Sequence, residues 1–205
     1  MTSAIKTCND NKVYLAQFFR VISQENSADI YQAAKDSDYY IGAVHEDEPA
    51  NGEELVNILL NKGDRNIGLI GWEQGDATWL GRWEGYKAGV DKWNEEHPDD
   101  QAKLSEPQYA GTTSEGGSKA AEALMAADPN LDALIPAGGG GDPLQGAIAA
   151  VERAGKTADI DIVSTDFLPD LGDRLENGSM AGESGGHFCD CLLYTSPSPR
   201  DRQKS

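Results

Sequence analysis

Polar and charged side chains recur where apolar segments of this sequence end, and their types suit binding of a polyhydroxylated solute. Arginine offers a planar set of donors, aspartate accepts paired hydroxyl hydrogen bonds, and an aromatic ring packs on the apolar face of a sugar ring. If the segments are parallel strands, their carboxyl ends meet at one sheet edge, where ligands bind in open α/β folds. The candidates are Arg20, Trp72, Glu73, Asp76, Arg82, Thr112, Thr113, Gly138–Asp142 (including Gly139) and Asp166. For Glu73 and Asp76 taken singly, a helix cap or surface ion pair is favoured.

One stretch, residues 132–166, has the pattern of a strand, a tight loop, a helix and a second strand. Four consecutive glycines at Gly138–Gly141 allow positive φ and close approach of a ligand to the backbone. Asp142 suits the N-cap and Pro143 the first helical position. A flexible surface turn is the alternative interpretation. Set among the other strand ends, the loop is predicted to form one lip of a cleft.

The periodicity of apolar residues predicts the remaining elements. Strands are expected at 13–19, 38–43, 65–71, 102–110, 132–137, 159–165 and 179–184, and helices at 27–35, 52–62, 78–96, 118–127, 142–154 and 168–176. From Arg65 onward strands and helices alternate, which predicts right-handed crossovers and a doubly wound parallel α/β sheet.

The helix predicted at 78–96 carries two patterns at helical spacing. Its aromatic and apolar stripe, interpreted as core packing in preference to a cofactor site, is Trp79, Trp83, Tyr86, Val90 and Trp93. Gly81, Gly85 and Gly89 recur every fourth residue. They predict a groove that lets this helix lie close to the sheet.

Composition narrows the classes of function. The chain has 205 residues and a formal net charge of −18, which argues against nucleic acid and anionic membrane surfaces as partners. No apolar run approaches the roughly 20 residues that span a bilayer, so no membrane insertion is expected. Cys8, Cys189 and Cys191 have no disulfide or metal-ligand spacing.

Signatures of enzymes are missing from the sequence. The three histidines are far apart, and neither a G-x-S-x-G elbow nor a phosphate-binding P-loop occurs. The glycine run does not match G-x-G-x-x-G because position 143 is proline, which disfavours a Rossmann-type reductase. The sequence therefore predicts no enzyme, no cofactor and no metal.

Several segments in the same order resemble one family. These are R-x-x-G-Y at 82–86, the long segment at 129–170, DRLENGSMAG at 173–182, and DYYIGAVHEDEPANGEELVNILLNKG at 38–63. Over roughly residues 13–186 the chain resembles the type I periplasmic binding proteins. The similarity is greatest to the sugar-binding branch, related to ribose- and galactose-binding proteins and to the effector domains of LacI-type repressors.

The resemblance implies particular site residues. The family's ligand-binding arginines fall on Arg20 and Arg82, and its aspartate at the end of the strand predicted at 159–165 falls on Asp166. Phe19 stands where the family usually has aspartate. Gly139–Asp142 stands where it usually has Asn-Asp, with Asp142 as a substitute. Both departures bear on which sugar is bound.

The resemblance also implies a function and a domain organisation. We expect a solute-binding protein of an ABC importer that binds a sugar or similar small polar solute between two lobes and delivers it to a membrane permease. It would be periplasmic or extracellular, and a longer form could carry a lipid anchor. The alternative is the effector domain of a LacI-type regulator. Residues 1–63 are expected to be a remnant of the first lobe, 64–185 a complete second lobe, and 186–205 a tail whose last part, LLYTSPSPRDRQKS, resembles cloning sequence.

Overall fold

A computed structural model describes residues 1–18, 22–138, 142–165 and 170–185. Its helices are α1 (Thr2–Asp10), α2 (Gln24–Lys35), α3 (Glu48–Lys62), α4 (Ala77–Glu96), α5 (Ser114–Ala127), α6 (Asp142–Arg153) and α7 (Leu171–Glu176). Its strands are β1 (Leu15–Phe18), β2 (Tyr40–Val44), β3 (Asn66–Gly71), β4 (Lys103–Leu104), β5 (Gln108–Tyr109), β6 (Ala133–Pro136), β7 (Asp161–Thr165) and β8 (Gly182–Ser184). The described residues form two compact units, residues 1–46 and 47–185.

The first unit is a small parallel α/β arrangement. Strand β1 pairs with β2, with Leu15 opposite Tyr40, and helix α1 packs against α2. The Ser37 hydroxyl donates a hydrogen bond to Asn9 Oδ1 at 3.0 Å. The sequence did not predict α1, because among its nine residues Ile5 is the buried one and no apolar stripe is visible.

The second unit is built on a six-stranded parallel sheet, as the alternation of elements predicted. The strands lie in the order β4-β3-β6-β7-β8, and β5 also pairs with β3. Helix α3 packs in this unit, although the sequence analysis placed residues 1–63 together. The chain moves from β3 to one side and then returns to β6 on the other. Ligands in open α/β sheets bind outside the carboxyl ends of strands at such a reversal.

The strand predicted over 102–110 is divided into β4 and β5, which pair with successive parts of β3. Between them the Ser105 hydroxyl accepts a hydrogen bond from the Leu69 amide at 3.0 Å, so a side chain takes over where the strand pairing is interrupted.

Helices cover both faces of this sheet. Successive strand residues point to opposite faces. Leu69, Ile135 and Val163 join the core beneath α3 and α4, whereas Ile70, Leu134 and Ile162 join the core beneath α5 and α6. Both faces are therefore apolar, as expected for a parallel sheet. Within the described residues, no helix has both the length and the apolar character needed to cross a membrane.

The glycines of α4 lie against α3 and not against the sheet, so that prediction was wrong. A Cβ atom on Gly85 would overlap the carbonyl oxygen of Pro49, and one on Gly81 would lie 2.9 Å from the Cβ of Glu48. Conversely, a Cβ on Gly52 would overlap the carbonyl oxygen of Arg82. Side chains are absent where the two helices come closest, which lets their backbones touch.

Helix α3 begins at Glu48, four residues before its predicted start. Asp47 is the N-cap, and its carboxylate accepts a hydrogen bond from the Ala50 amide at 3.2 Å. Pro49 lies in the first turn, where its missing N–H costs nothing. The segment that the sequence analysis treated as a polar turn is thus partly helical.

Candidate functional site

The candidate site lies at the carboxyl edge of the six-stranded sheet. Strand β3 ends at Gly71, β6 at Pro136 and β7 at Thr165, and these three strands are neighbours. Trp72 follows β3 directly and is half-buried. The reversal of strand order falls between β3 and β6, so this edge is where the fold favours a ligand.

Arg82, from α4, connects the residues at this edge. Its side chain is only 1% exposed. The guanidinium Nε donates a hydrogen bond to Glu48 Oε2 at 2.6 Å, and Nη1 donates to Thr165 Oγ1 at 2.6 Å. Its central carbon lies 5.3 Å from the centroid of the Trp72 ring. Trp72 and Arg82, two of the predicted site residues, are therefore in contact, with a cation held at an aromatic ring.

The start of α4 determines where Arg82 lies. Asp76 is the N-cap, and its carboxylate accepts a hydrogen bond from the Trp79 amide at 2.9 Å. Trp79 and Tyr86 are buried on the same helix face as Arg82, which anchors that face against the core. Core packing of the aromatic stripe is thus confirmed for both residues. Asp76 is a predicted ligand-binding residue, although a helix cap is the interpretation favoured when it is considered alone. In the structure it is the N-cap of α4.

Glu48 brings a compensating charge to Arg82. Its side chain is 13% exposed, and the glycine contacts between α3 and α4 bring its helix turn against Arg82. Nearby, burial raises the pKa of Tyr86 above its usual range, so this phenol is neutral. Arg82 and Glu48 are therefore a cation and an anion in direct contact at this edge.

Close approach between β6 and β7 positions Thr165. A Cβ atom on Gly138 would overlap both the carbonyl oxygen and the hydroxyl of Thr165. One residue earlier, the Ser164 hydroxyl donates to the Pro136 carbonyl at 2.8 Å. Glycine at position 138 is required by this contact, which aligns the Thr165 hydroxyl with the Arg82 guanidinium.

A fourth strand end, that of β5, contributes an exposed turn. The Gly111 amide donates a hydrogen bond to the Trp72 carbonyl at 2.8 Å, which ties the turn after β5 to the end of β3. Thr112 is exposed in this turn. Thr113 is the N-cap of α5, with its hydroxyl accepting from the Gly116 amide at 3.1 Å.

Several predicted site residues lie outside the described part of the structure. These are Phe19, Arg20, Gly139, Asp166 and the side chain of Asp142. Their roles stay predictions.

Sequence reasoning missed two residues that contact Arg82. Glu48 was hidden in a segment taken for a turn, although the sequence Asp-Glu-Pro is a recognisable helix start. Thr165 was passed over in favour of the acidic residue that follows it.

The side chains described at this edge have the chemical character of a binding site. They offer a buried cation, an aromatic face and a hydroxyl, which suit hydrogen bonding and stacking. No group of three or more histidine, cysteine, aspartate or glutamate side chains able to hold a metal ion occurs within the residues that the structure describes.

Comparison with known families decides what this architecture is. Residues 1–185 match a family model described as a periplasmic binding protein domain. The chain belongs to that family. The match begins at residue 1, so it takes in α1 as well as the region over which the resemblance was noted.

Solved structures of solute-binding proteins share the fold. A protein of an ABC transporter from Agrobacterium vitis, solved with bound D-fucose, aligns with a TM-score of 0.65 and 18% identity over 87% of this chain and 56% of its own. One from Burkholderia multivorans gives 0.71 and 16% over 94% and 63%. One from Actinobacillus succinogenes with bound D-allose gives 0.68 and 18% over 87% and 59%.

The comparisons confirm the predicted family and α/β fold. The periplasmic binding proteins with which this chain aligns are solute-binding proteins and not enzymes, in agreement with the sequence analysis. The chain spans less than two thirds of the length of each of the three solved structures. A comparison with curated protein sequences finds no match.

Proposed function

We propose that the chain is the ligand-binding part of a solute-binding protein that captures a sugar or similar small polar solute for an ABC importer. The proposal rests on Arg82, which is held beside Trp72 at the carboxyl edge of β3, β6 and β7. Such a protein works outside the cytoplasm and delivers its solute to a membrane permease, and both are part of the proposal.

The geometry supports a polyhydroxylated ligand. A guanidinium donates hydrogen bonds in fixed directions, so it recognises oxygen atoms on a rigid ring. Trp72 supplies an apolar face for the C–H side of a sugar, and Thr112 lies exposed in the turn attached to it. Arg20, Phe19, Gly139, Asp142 and Asp166 are proposed to complete the binding residues.

The comparisons support the same class of ligand. Two of the aligned solute-binding proteins were solved with monosaccharides, D-fucose and D-allose. Because their identity to this chain is 18%, the particular sugar is left to experiment.

Calorimetric titration of the chain with a panel of monosaccharides tests the proposal. We expect saturable binding of at least one sugar, and Trp72→Ala should weaken it by about tenfold because a stacking surface is lost. Trp83→Ala is the matched control, because Trp83 lies on α4 and is not one of the proposed site residues. Its ring lies 4.9 Å from Lys87 Nζ. Binding of an amino acid or nucleotide, and of no sugar, would overturn the ligand class.

A further inference from the structure

We propose that Glu48 sets the charge selectivity of the site, by neutralising Arg82 so that uncharged sugars bind in preference to sugar acids. This inference rests on the proposed sugar-binding function and adds to it a specificity-determining residue outside the predicted set.

The first step is the contact itself. Glu48 Oε2 lies 2.6 Å from Arg82 Nε, on an edge of the guanidinium where a ligand carboxylate would otherwise bind. A buried arginine without an internal anion attracts carboxylates and phosphates. With Glu48 present, the pair carries no net charge.

The second step is burial. Arg82 is 1% exposed and Glu48 13%, so water screens their charges far less than it would at the surface. An anionic ligand would have to displace Glu48 or lie beside it as a second carboxylate. Juxtaposed like charges raise the cost of binding the wrong ligand, which is how binding sites discriminate.

The third step is that the position of Glu48 is built into the fold. Asp47 caps α3 and Pro49 occupies its first turn, which fixes the backbone on both sides of Glu48. Gly81 and Gly52 allow this turn to touch the turn of α4 that carries Arg82. The positive end of the α3 dipole also favours an anion in this turn. Glu48 is therefore placed by the α3–α4 contact and does not depend on a flexible loop.

The test is calorimetric titration of the whole chain with three ligands that differ only at carbon 6, namely D-fucose, D-galactose and D-galacturonate, or the corresponding glucose series. We expect the wild-type chain to bind the neutral sugar at least about 100-fold more tightly than the uronate. Glu48→Gln should reduce this ratio by about tenfold or more, mainly through tighter uronate binding, because the cation is no longer balanced.

Two further variants serve as controls. Glu48→Asp keeps the charge and should keep the preference for the neutral sugar. Glu53→Gln removes one negative charge from the same helix, where the Glu53 side chain is 38% exposed and pairs with Lys92 at 3.6 Å, and it should leave the ratio unchanged. Thermal unfolding of each variant verifies that it is folded at the titration temperature.

The possible outcomes distinguish the role of Glu48 from the proposed sugar-binding function. Binding of neutral sugar with an unchanged ratio in a folded Glu48→Gln variant overturns the role of Glu48 and leaves sugar binding standing. The role of Glu48 is also overturned, without any variant, if the wild-type chain binds the uronate as tightly as the neutral sugar. Failure of the wild-type chain to bind either sugar class overturns the proposed function itself.

Discussion

The two helix pairs that cover the six-stranded sheet meet through similar glycine contacts but differ in the charges they carry. In one, a Cβ on Gly85 of α4 would overlap the carbonyl oxygen of Pro49 in the first turn of α3. In the other, a Cβ on Gly117 of α5 would overlap the carbonyl oxygen of Pro143 in the first turn of α6. A glycine facing an N-terminal proline turn thus brings the backbones together on both faces.

The difference lies in the charges near each crossing. The α3–α4 pair buries Arg82 against Glu48. The α5–α6 pair joins Arg153 to Glu122 at 2.8 Å, but these side chains are 58% and 55% exposed. Among the described residues, no buried charged side chain belongs to α5 or α6. The same close approach of two backbones therefore accompanies a buried ion pair in one helix pair and an exposed ion pair in the other.

The largest contrast should come from removing one acid of each ion pair. Glu48→Ala takes away the buried partner of Arg82, and we expect a loss of about 3 kcal/mol in the free energy of unfolding. Glu122→Ala removes an exposed partner of Arg153 and should cost less than about 1 kcal/mol. Urea denaturation of the two variants measures both values, and equal losses would show that the first pair is no better shielded from water than the second.

A smaller effect is expected from the glycines that bring each helix pair together. Gly85→Ala and Gly117→Ala should each lower the free energy of unfolding by about 2 kcal/mol, because the new methyl group meets a backbone carbonyl that cannot move aside. Gly172→Ala in α7 is the control, since a Cβ there meets nothing within 4 Å and should stabilise by up to about 1 kcal/mol. Thermal unfolding shows whether each variant is less or more stable than the wild type. A stabilised Gly85→Ala variant would contradict the observed contact.

The two layers also differ where each helix returns to the sheet. Helices α3 and α6 are both followed by a glycine with positive φ, Gly63 and Gly155. Only after Gly63 does a half-buried carboxyl group follow, that of Asp64. Burial first, and then the negative charges of Asp161 and Asp132, raise the pKa of Asp64 to about 7.

This shift gives a pH-dependent prediction. The folded chain holds a proton on Asp64 that the unfolded chain, with a pKa near its usual value of about 4, releases between about pH 4 and 7. Stability should therefore fall as pH rises through that window. Asp64→Asn should add about 1 kcal/mol at pH 8, a value reduced for solvent screening, and flatten the profile.

Urea denaturation between pH 4 and 8 checks the Asp64 prediction. The exposed Glu84→Gln removes one charge without removing a half-buried carboxyl group and should leave the slope as in the wild type. A slope that persists in Asp64→Asn would place the titrating group elsewhere.

Much of this fold could be predicted because it is encoded locally. The strand at 66–71 is an apolar run after Asn66, and α4 begins one residue after its Asp76 cap and ends within one turn of Trp93, the last residue of its stripe. Apolar periodicity and helix caps of this kind are visible in a sequence window of about a dozen residues. Helix α1 escaped prediction because Ile5 alone is buried in it and a stripe needs several such positions.

The candidate site could be predicted only in part, because its contacts join distant segments. Arg82 and Trp72 were found since each lies near the end of the same strand. Glu48 contacts Arg82 across 34 positions of sequence, and that contact requires α3 and α4 to touch. The glycine row of α4 indicated a close approach, but periodicity alone does not say whether the neighbour is a sheet or a helix. Gly138 likewise gave no sign that its partner would be Thr165.

The divided strand β4–β5 has a consequence for how the chain behaves at high concentration. The edge of a sheet is a template on which another chain can add a strand, and long regular edges invite fibrillar association. Here the outer segment offers two paired residues, then Ser105, Glu106 and Pro107, then two more. Pro107 has no N–H to offer, and Lys103 places an exposed charge within the first short strand. An incoming strand would find no continuous row of partners, so this edge protects the protein against intermolecular sheet growth.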